Sequence, residues 1–449
     1  MKYLENISKI HFIGIGGVSM NALALCLADM GYEVSGSDKK ESAVTKMLEN
    51  SGIKIYITQS KDNIKSPDLV VYTAAVHPDN EELQEAKRKG ITCIERAILL
   101  GEMLTKYKMP IGVSGTHGKT TVTSMISTIA LEASIDPTIM VGGFLPEING
   151  NLRIGKGEHI IFESCEYSNS FLNFNPFISV ILNIEADHLD FFKDLDDIIS
   201  SFKKYANNTL NGGVIVANAE DENLTKALDG YSGRVVTFGI EKGDYRAVSI
   251  NHKDGKTNIE IMHSGKIIAD ISLNIVGIHN VKNALAAFVC CREMGIEIPK
   301  IKAALERFSG AKRRFELRKT INNIAIYDDY AHHPTEIKAS LLAAREIAKG
   351  KVIVAFQPHT YSRTKALAPD FAKSLEIADV VILAPIFAAR EVNTFGVSSK
   401  DISDKIENAM YLESFDEIVD TIQKIAKDGD IVISMGAGNI CEICNLLEF

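Results

Sequence analysis

Short apolar runs recur along the chain, each closed by a glycine or a polar turn and followed by apolar residues at helical spacing. Residues 10–15 form the first run, and Leu23, Leu27 and Met30 mark one face of the helix after it. Further β/α alternation runs through residues 32–38, 52–58 and 68–73, a helix over 80–89 and a strand over 91–94, with residues 106–110 as a joint. A second series comprises a strand at 111–113, a helix over 122–131, and strands at 159–163 and 178–184. From 245 to 276 the period changes to two, with hairpin signals at Asp254-Gly255 and Ser264-Gly265. A third series has strands at 323–327, 351–356, 379–385 and 430–435. Strands alternating with helices predict parallel sheets covered on both faces. The expectation is an α/β chain of three domains: a Rossmann-like N-terminal domain over 1–107, a central domain carrying a phosphate loop over 108–310, and a C-terminal Rossmann-like domain over 311–449. A length of 449 residues allows about three domains.

Composition changes this picture little. Hydrophobic residues make up 46% and charged residues 24%, enough apolar material for large cores. A net charge of −9 argues against a protein that coats nucleic acid, yet leaves room for a local basic site around a small anion. No charged-then-apolar leader opens the sequence, and no apolar run is long enough to cross a bilayer, so no stable membrane association is expected. The seven cysteines are scattered without a framework, as expected of free thiols in a reducing cytoplasm. Cys441 and Cys444 form a lone C-x-x-C with no second pair nearby.

The most informative stretch is Gly115-Thr116-His117-Gly118-Lys119-Thr120-Thr121, between a buried strand and a helix. Successive backbone N–H groups and the positive end of a helix dipole then point at one small volume, which suits phosphate. Lys119 would add charge beside the β- and γ-phosphates, and the Thr120 hydroxyl a hard ligand for Mg²⁺. In G-x-x-x-x-G-K-[ST] the first glycine would stand where this chain has Val113, so the loop is a tighter variant. An ordinary turn with a solvated lysine is the alternative. The turn Gly14-Ile-Gly16-Gly17-Val-Ser19, followed by Ser37-Asp38, is suited to a nucleotide diphosphate. Glu163, Glu166, Glu185, Asp187 and His188 follow buried strands, where they act as turn residues or ligate Mg²⁺. Asn280 and Asn283 open a helix, as caps or as readers of an adenine edge. Arg313-Arg314 is either a solvated charge pair or a phosphate clamp. Polar residues crowd the strand ends again at Asp328-Asp329-Tyr330-Ala-His332-His333-Pro and Gln357-Pro-His359-Thr360-Tyr-Ser-Arg363.

Taken together, and in order, these motifs resemble the Mur ligases over essentially the whole chain. The His-bearing phosphate loop and the Asp-Asp-Tyr-Ala-His-His-Pro run are similar to those of members acting on muramate itself. The resemblance implies that the three domains form a Mur ligase architecture with a central P-loop ATPase-like domain. It also implies a reaction: ATP phosphorylates the lactyl carboxylate of UDP-N-acetylmuramate, and the amine of L-alanine attacks the acyl phosphate. By the same resemblance Lys119 holds the ATP phosphates within the 115–121 loop; Thr120, Glu163 and His188 ligate Mg²⁺; and Asn280 and Asn283 contact adenine. Arg314 and Asp328 close on the nucleotide, while His332, His333 and Arg363 face the muramoyl group or the alanine carboxylate. UDP falls to Gly16, Gly17, Ser37, Asp38, Thr73 and Ala74.

Two departures stand out. Many relatives carry arginine where this chain has Thr360, and an acidic-rich run where it reads Ser164-Cys-Glu166-Tyr-Ser-Asn-Ser170. A recycling ligase that joins the same nucleotide sugar to a preformed tripeptide shares most of the motifs, although the compact last domain favours a single amino acid. Ser19 and the second phosphate loop count against an NAD-dependent dehydrogenase. Lys119, Thr120, Glu163 and His188 together count against a catalytically silent scaffold.

Overall fold

The computed structural model describes residues 2–449 apart from Ala74, Asp190, Asp254 and Arg390. The chain forms two compact units, one of residues 1–244 with 286–301 and the other of residues 245–285 with 302–449. No helix among the described residues is long and apolar enough to cross a membrane.

The first unit opens with a five-stranded sheet whose strands lie in the order 3-2-1-4-5. All its pairings are parallel. Strand Lys9–Ile13 lies at the centre, and the order reverses beside it, so the Gly14–Gly17 turn sits at the topological switch point. Beneath that turn the fully buried Glu82 accepts from Ser37 Oγ at 2.5 Å and Asn63 Nδ2 at 2.6 Å. The second sheet of this unit is parallel through Arg234–Gly239, Val214–Asn218, Ile178–Ile181, Met109–Ser114, His159–Glu163 and Thr138–Leu145. A short antiparallel strand, Gly150–Arg153, ends it. Every strand expected up to residue 184 is present, with ends displaced by a few residues at most sites. Residues 182–184 are the largest difference: after Ile181 the chain leaves the ladder to bind the phosphate loop.

In the second unit the meander Tyr245–Lys253, Lys256–His263 and Lys266–Leu273 follows the alternating pattern, with hairpins at the expected turns, although Asp254 lies outside the described residues. The other sheet has six strands, Glu316–Ile321, Ile324–Asp329, Ile431–Met435, Val352–Phe356, Val380–Leu383 and Ala409–Tyr411, in that spatial order. Its first pair is antiparallel and the rest parallel. Separate apolar clusters pack against its two faces, one around Phe356 and Phe371 and the other around Ile382 and Ile433's neighbour Val432. At the end of strand Ile324–Asp329, Asp329 is buried, accepting from the Ala331 N–H at 3.1 Å and from the Ser340 hydroxyl. It thereby ties the 330–333 turn to helix Pro334–Ile347.

Two outcomes follow from this packing. Gly101 lies in helix Arg96–Leu104, and a Cβ there would stand 2.1 Å from the carbonyl oxygen of Asn173. Backbone must move to admit it, so Gly101→Ala should lower stability by about 2–3 kcal/mol in denaturant unfolding. A change below about 0.5 kcal/mol, the scale of an innocuous surface substitution, would show that the helix shifts freely. Burial pushes the Asp329 carboxyl up to about 6, with the Ser340 hydroxyl opposing it. A carboxyl raised in the folded state favours folding at low pH, and that contribution is lost as pH rises from about 4 through 6. Asp329→Asn should therefore flatten the fall in stability between pH 5 and 7.5 by about 1 kcal/mol. Guanidinium unfolding at the two pH values checks it, and a steeper fall in the variant would mean that the charge stabilises the turn.

Candidate active site

Strand Met109–Ser114 delivers the phosphate loop, and helix Lys119–Glu132 carries it away. Gly115 has φ +136°, and a Cβ there would meet Leu182 Cβ at 3.0 Å and the Asn183 nitrogen at 3.1 Å. Gly118, the residue before the helix, has φ +86°. Both positions need glycine. The loop is pinned from the neighbouring strand end. The Thr116 N–H donates to Asn183 O at 3.1 Å and the His117 N–H to Asn183 Oδ1 at 2.8 Å. Asn183 Nδ2 returns a bond to His117 O at 3.1 Å, and the Glu185 N–H donates to Thr116 Oγ1 at 2.9 Å. The N–H groups of residues 119–121 then open the helix at the loop's exit, the position an anion site requires.

Lys119 reaches back across this loop. Its ammonium donates to Gly115 O at 2.5 Å, to Thr116 O at 3.1 Å, and to both oxygens of Glu166 at 3.1 and 3.0 Å. Burial pulls its pKa down, but Glu166 and the nearby Cys165 and Glu163 outweigh that and raise it, so the lysine is charged. Glu166 itself is only 3% exposed and has His188 Nε2 at 3.8 Å. The sequence left the purpose of Glu166 open; here it is the countercharge of the loop lysine. After it Ser168 and Asn169 both take left-handed φ, +50° and +56°, as residues 167–173 turn.

The expected magnesium donors are Thr120 in the first helical turn, Glu163 at a strand end and His188 after another. Glu163 accepts the Gly142 N–H at 2.5 Å. A Cβ at Gly142 would stand 2.7 Å from the Glu163 carboxylate, and one at Gly143 3.2 Å from Thr120 Cγ2. This glycine pair, which the sequence reading passed over, keeps the space beside both donors open. His188, at φ +55°, packs against Tyr167 with ring centres 4.7 Å apart. A hydroxyl, a carboxylate and an imidazole are donors of the kind that suits a magnesium ion keeping several waters.

At the first sheet's switch point the Gly16 N–H donates to Asp38 Oδ2 at 2.9 Å, so Asp38 folds back on the glycine turn. Ser37 is wholly buried, its hydroxyl committed to Glu82, while its carbonyl accepts from Gly14 and Ile15. Gly17 precedes helix Val18–Asp29, and Thr73 Oγ1 accepts from the Ala75 N–H at 3.2 Å. Ala74 lies outside the described residues.

In the second unit Asn280 and Asn283 do not cap their helix. Asn280 Nδ2 donates to Val276 O at 2.8 Å, and Asn283 Nδ2 to Asn280 Oδ1 at 3.3 Å. Asn280 and Arg314 line a cleft of about 730 Å³, with Val276 and Tyr327. Asp328 is 1% exposed and paired with Arg313 Nε at 3.3 Å. Arg313 also donates to Gly436 O at 2.7 Å, and both arginines stack over Tyr330. His333 is buried and caps helix Pro334–Ile347, while Glu336 accepts from the N–H groups of His332 and His333. His332 Nδ1 lies 3.0 Å from Tyr330 O and 3.3 Å from Glu336. Arg363 lies 3.4 Å from His359. Thr360 occupies φ +68°, ψ 146°, strained for a residue with a side chain, just before helix Tyr361–Leu375.

The family model for the Mur ligase middle domain matches residues 113–291. Those for the Mur ligase catalytic domain and the Mur ligase glutamate ligase domain match residues 9–108 and 313–438. The chain is 50% identical over 441 residues to a UDP-N-acetylmuramate–L-alanine ligase of Agathobacter rectalis, covering 97% of this chain and 96% of that one. It is 45% identical to the enzyme of the same name from Caldanaerobacter subterraneus subsp. tengcongensis, over 98% and 97% of the two chains. Among solved structures, the UDP-N-acetylmuramate–alanine ligase of Thermotoga maritima superposes with a TM-score of 0.83 at 31% identity over 98% of each chain. A murein peptide ligase from Psychrobacter arcticus gives 0.72 at 26% identity over 98% and 97%. With all three family models matched in order and the relatives aligned end to end, the chain belongs to the Mur ligase family and has its three-domain α/β architecture.

Proposed function

We propose that this chain is the ATP-dependent ligase that adds L-alanine to UDP-N-acetylmuramate, a step of peptidoglycan precursor synthesis, with ADP and phosphate as the other products. The observation that carries this reading is the end-to-end identity of 45–50% with L-alanine ligases, against 26% with a murein peptide ligase. The assigned domains are 1–107 for UDP, 108–310 for ATP and 311–449 for the amino acid. The work is done in the cytoplasm, where ATP and the nucleotide sugar are found.

The lactyl carboxylate attacks the γ-phosphorus of ATP, expelling ADP and forming an acyl phosphate. The alanine amine then attacks the acyl carbon, and the tetrahedral intermediate collapses with loss of phosphate. Both steps crowd negative charge together, so positioning and neutralisation dominate over covalent help. Lys119 and the N–H groups opening its helix take the phosphates. Thr120, Glu163 and His188 would hold Mg²⁺, which supplies charge neutralisation at the transferred phosphoryl group. Asn280 and Arg314, with Asn283 beside Asn280, take the adenosine at the cleft that Asn280 and Arg314 line. Arg363 and His332 receive the alanine; His332 Nδ1 is held against Tyr330 O and Glu336.

Phosphate release with ATP, Mg²⁺ and UDP-N-acetylmuramate should require L-alanine, and the tripeptide L-alanyl-γ-D-glutamyl-diaminopimelate should not replace it. Release with the tripeptide alone would move the chain to recycling. Lys119→Ala should reduce turnover by a factor on the order of 10³ or more, a loss typical of removing one oriented charge from a phosphoryl-transfer site. Binding of UDP-N-acetylmuramate should change less than about threefold, because a difference under about 0.7 kcal/mol is all that separate sites predict. Equal loss of both would contradict the division of labour between domains.

A further inference from the structure

A lysine ammonium has three protons to donate. In the phosphate loop of this chain two are directed to loop carbonyls, those of Gly115 and Thr116, and the third to the carboxylate of Glu166. The carbonyl bonds hold the side chain over the loop that the phosphates are to enter. The third direction is the one a β- or γ-phosphate needs. Glu166 therefore stands in for the anion, and the loop is charge-balanced before any ligand arrives.

This arrangement has a consequence for which nucleotide is admitted. A bare nucleotide must take Lys119 away from Glu166, leaving a carboxylate that is 3% exposed beside the incoming phosphates. A buried carboxylate stripped of its partner, next to further negative charge, is strongly unfavourable. A nucleotide that arrives with a divalent cation avoids most of that penalty, since the cation offsets the added charge next to Glu163 and Thr120.

We propose that Glu166 is a positioning residue that makes nucleotide binding depend on the metal, by competing with the phosphates for Lys119. It rests on the reading of the 115–121 loop as the nucleotide site. The competition is specific to a charged carboxylate. Glutamine keeps the size and can still accept from the lysine, but it no longer balances its charge, so it competes weakly.

ADP is the probe, titrated calorimetrically with and without Mg²⁺ into the full chain carrying Glu166→Gln, Lys119→Met or both. Without Mg²⁺, Glu166→Gln should bind ADP at least tenfold more tightly than the parent chain. With Mg²⁺ present the gain should be under threefold, so the metal dependence narrows. In the Lys119→Met background the same substitution should alter metal-free binding less than threefold, because nothing remains to compete for. Glu166→Asp, which keeps the charge on a shorter stem, should retain the metal dependence and serves if the glutamine variant does not fold. Weaker or unchanged metal-free binding in Glu166→Gln would overturn the proposal and leave Glu166 as packing support. An equal gain in the Lys119→Met background would overturn the route through the lysine. Absence of ADP binding to the parent chain with Mg²⁺ would instead remove the nucleotide reading of the loop.

Discussion

A cation meant for a triphosphate has to be charged and in position before the triphosphate comes. Burial opposes this, because removing an ammonium from water favours its neutral form. Lys119 is 15% exposed and is held against that tendency by Glu166 at 3.0 Å. Much of the first unit's local geometry serves this pair. Gly115 and Gly118 take left-handed backbone so the loop can turn inside the lysine. Asn183 clamps Thr116 and His117 from the next strand, which is why that strand ends at Ile181 and the following residues leave the ladder. Glu166 itself stands at the start of the 167–173 turn, buried, with both its oxygens on the lysine.

The difference between what could be read in the sequence and what could not follows from range. Strand, glycine turn and helix are local, and the apolar period carried them; strand His159–Glu163 falls where the pattern puts it. Lys119 and Thr120 were legible because their chemistry depends on residues immediately beside them. Glu166 was not, because its partner is 47 residues away and the turn that follows it contains two non-glycine residues at positive φ. Nothing in a residue pattern announces that conformation. The pair Gly142-Gly143 was overlooked for a similar reason: it reads as a weak strand, and its purpose is visible only in the Glu163 and Thr120 atoms that a Cβ would strike.

The polar residues of the second unit show the same limit from the opposite side. His332 and His333 are neighbours of identical type, yet one caps a helix from a buried position and the other sits against Tyr330 O and Glu336. Arg313 and Arg314 are likewise adjacent, but the buried Asp328 pairs with Arg313, while Arg314 lines the cleft with Asn280. Composition at a strand end identifies a site. Only the turn geometry divides the residues into those that build it and those left to meet a ligand.

The three sheets share one device and differ in how it is satisfied. Each has a buried carboxylate beside the turn at its strand ends: Glu82 in the first, Glu166 in the second and Asp329 in the third. Glu82 takes a serine hydroxyl and an asparagine amide, and Asp329 takes a serine hydroxyl and a backbone N–H. Neutral donors of this kind fix a turn and have nothing to gain from an anionic ligand. At Asp329 burial lifts the carboxyl to about 6 against both these donors and the charge of Arg314. Glu166 alone of the three has a lysine as partner, and a cation can be transferred from an internal carboxylate to an incoming phosphate with the total number of ion contacts preserved. Two of the carboxylates therefore stiffen the frames around their sites. The third makes its own frame exchangeable, and it lies where the chemistry calls for an exchange of charge.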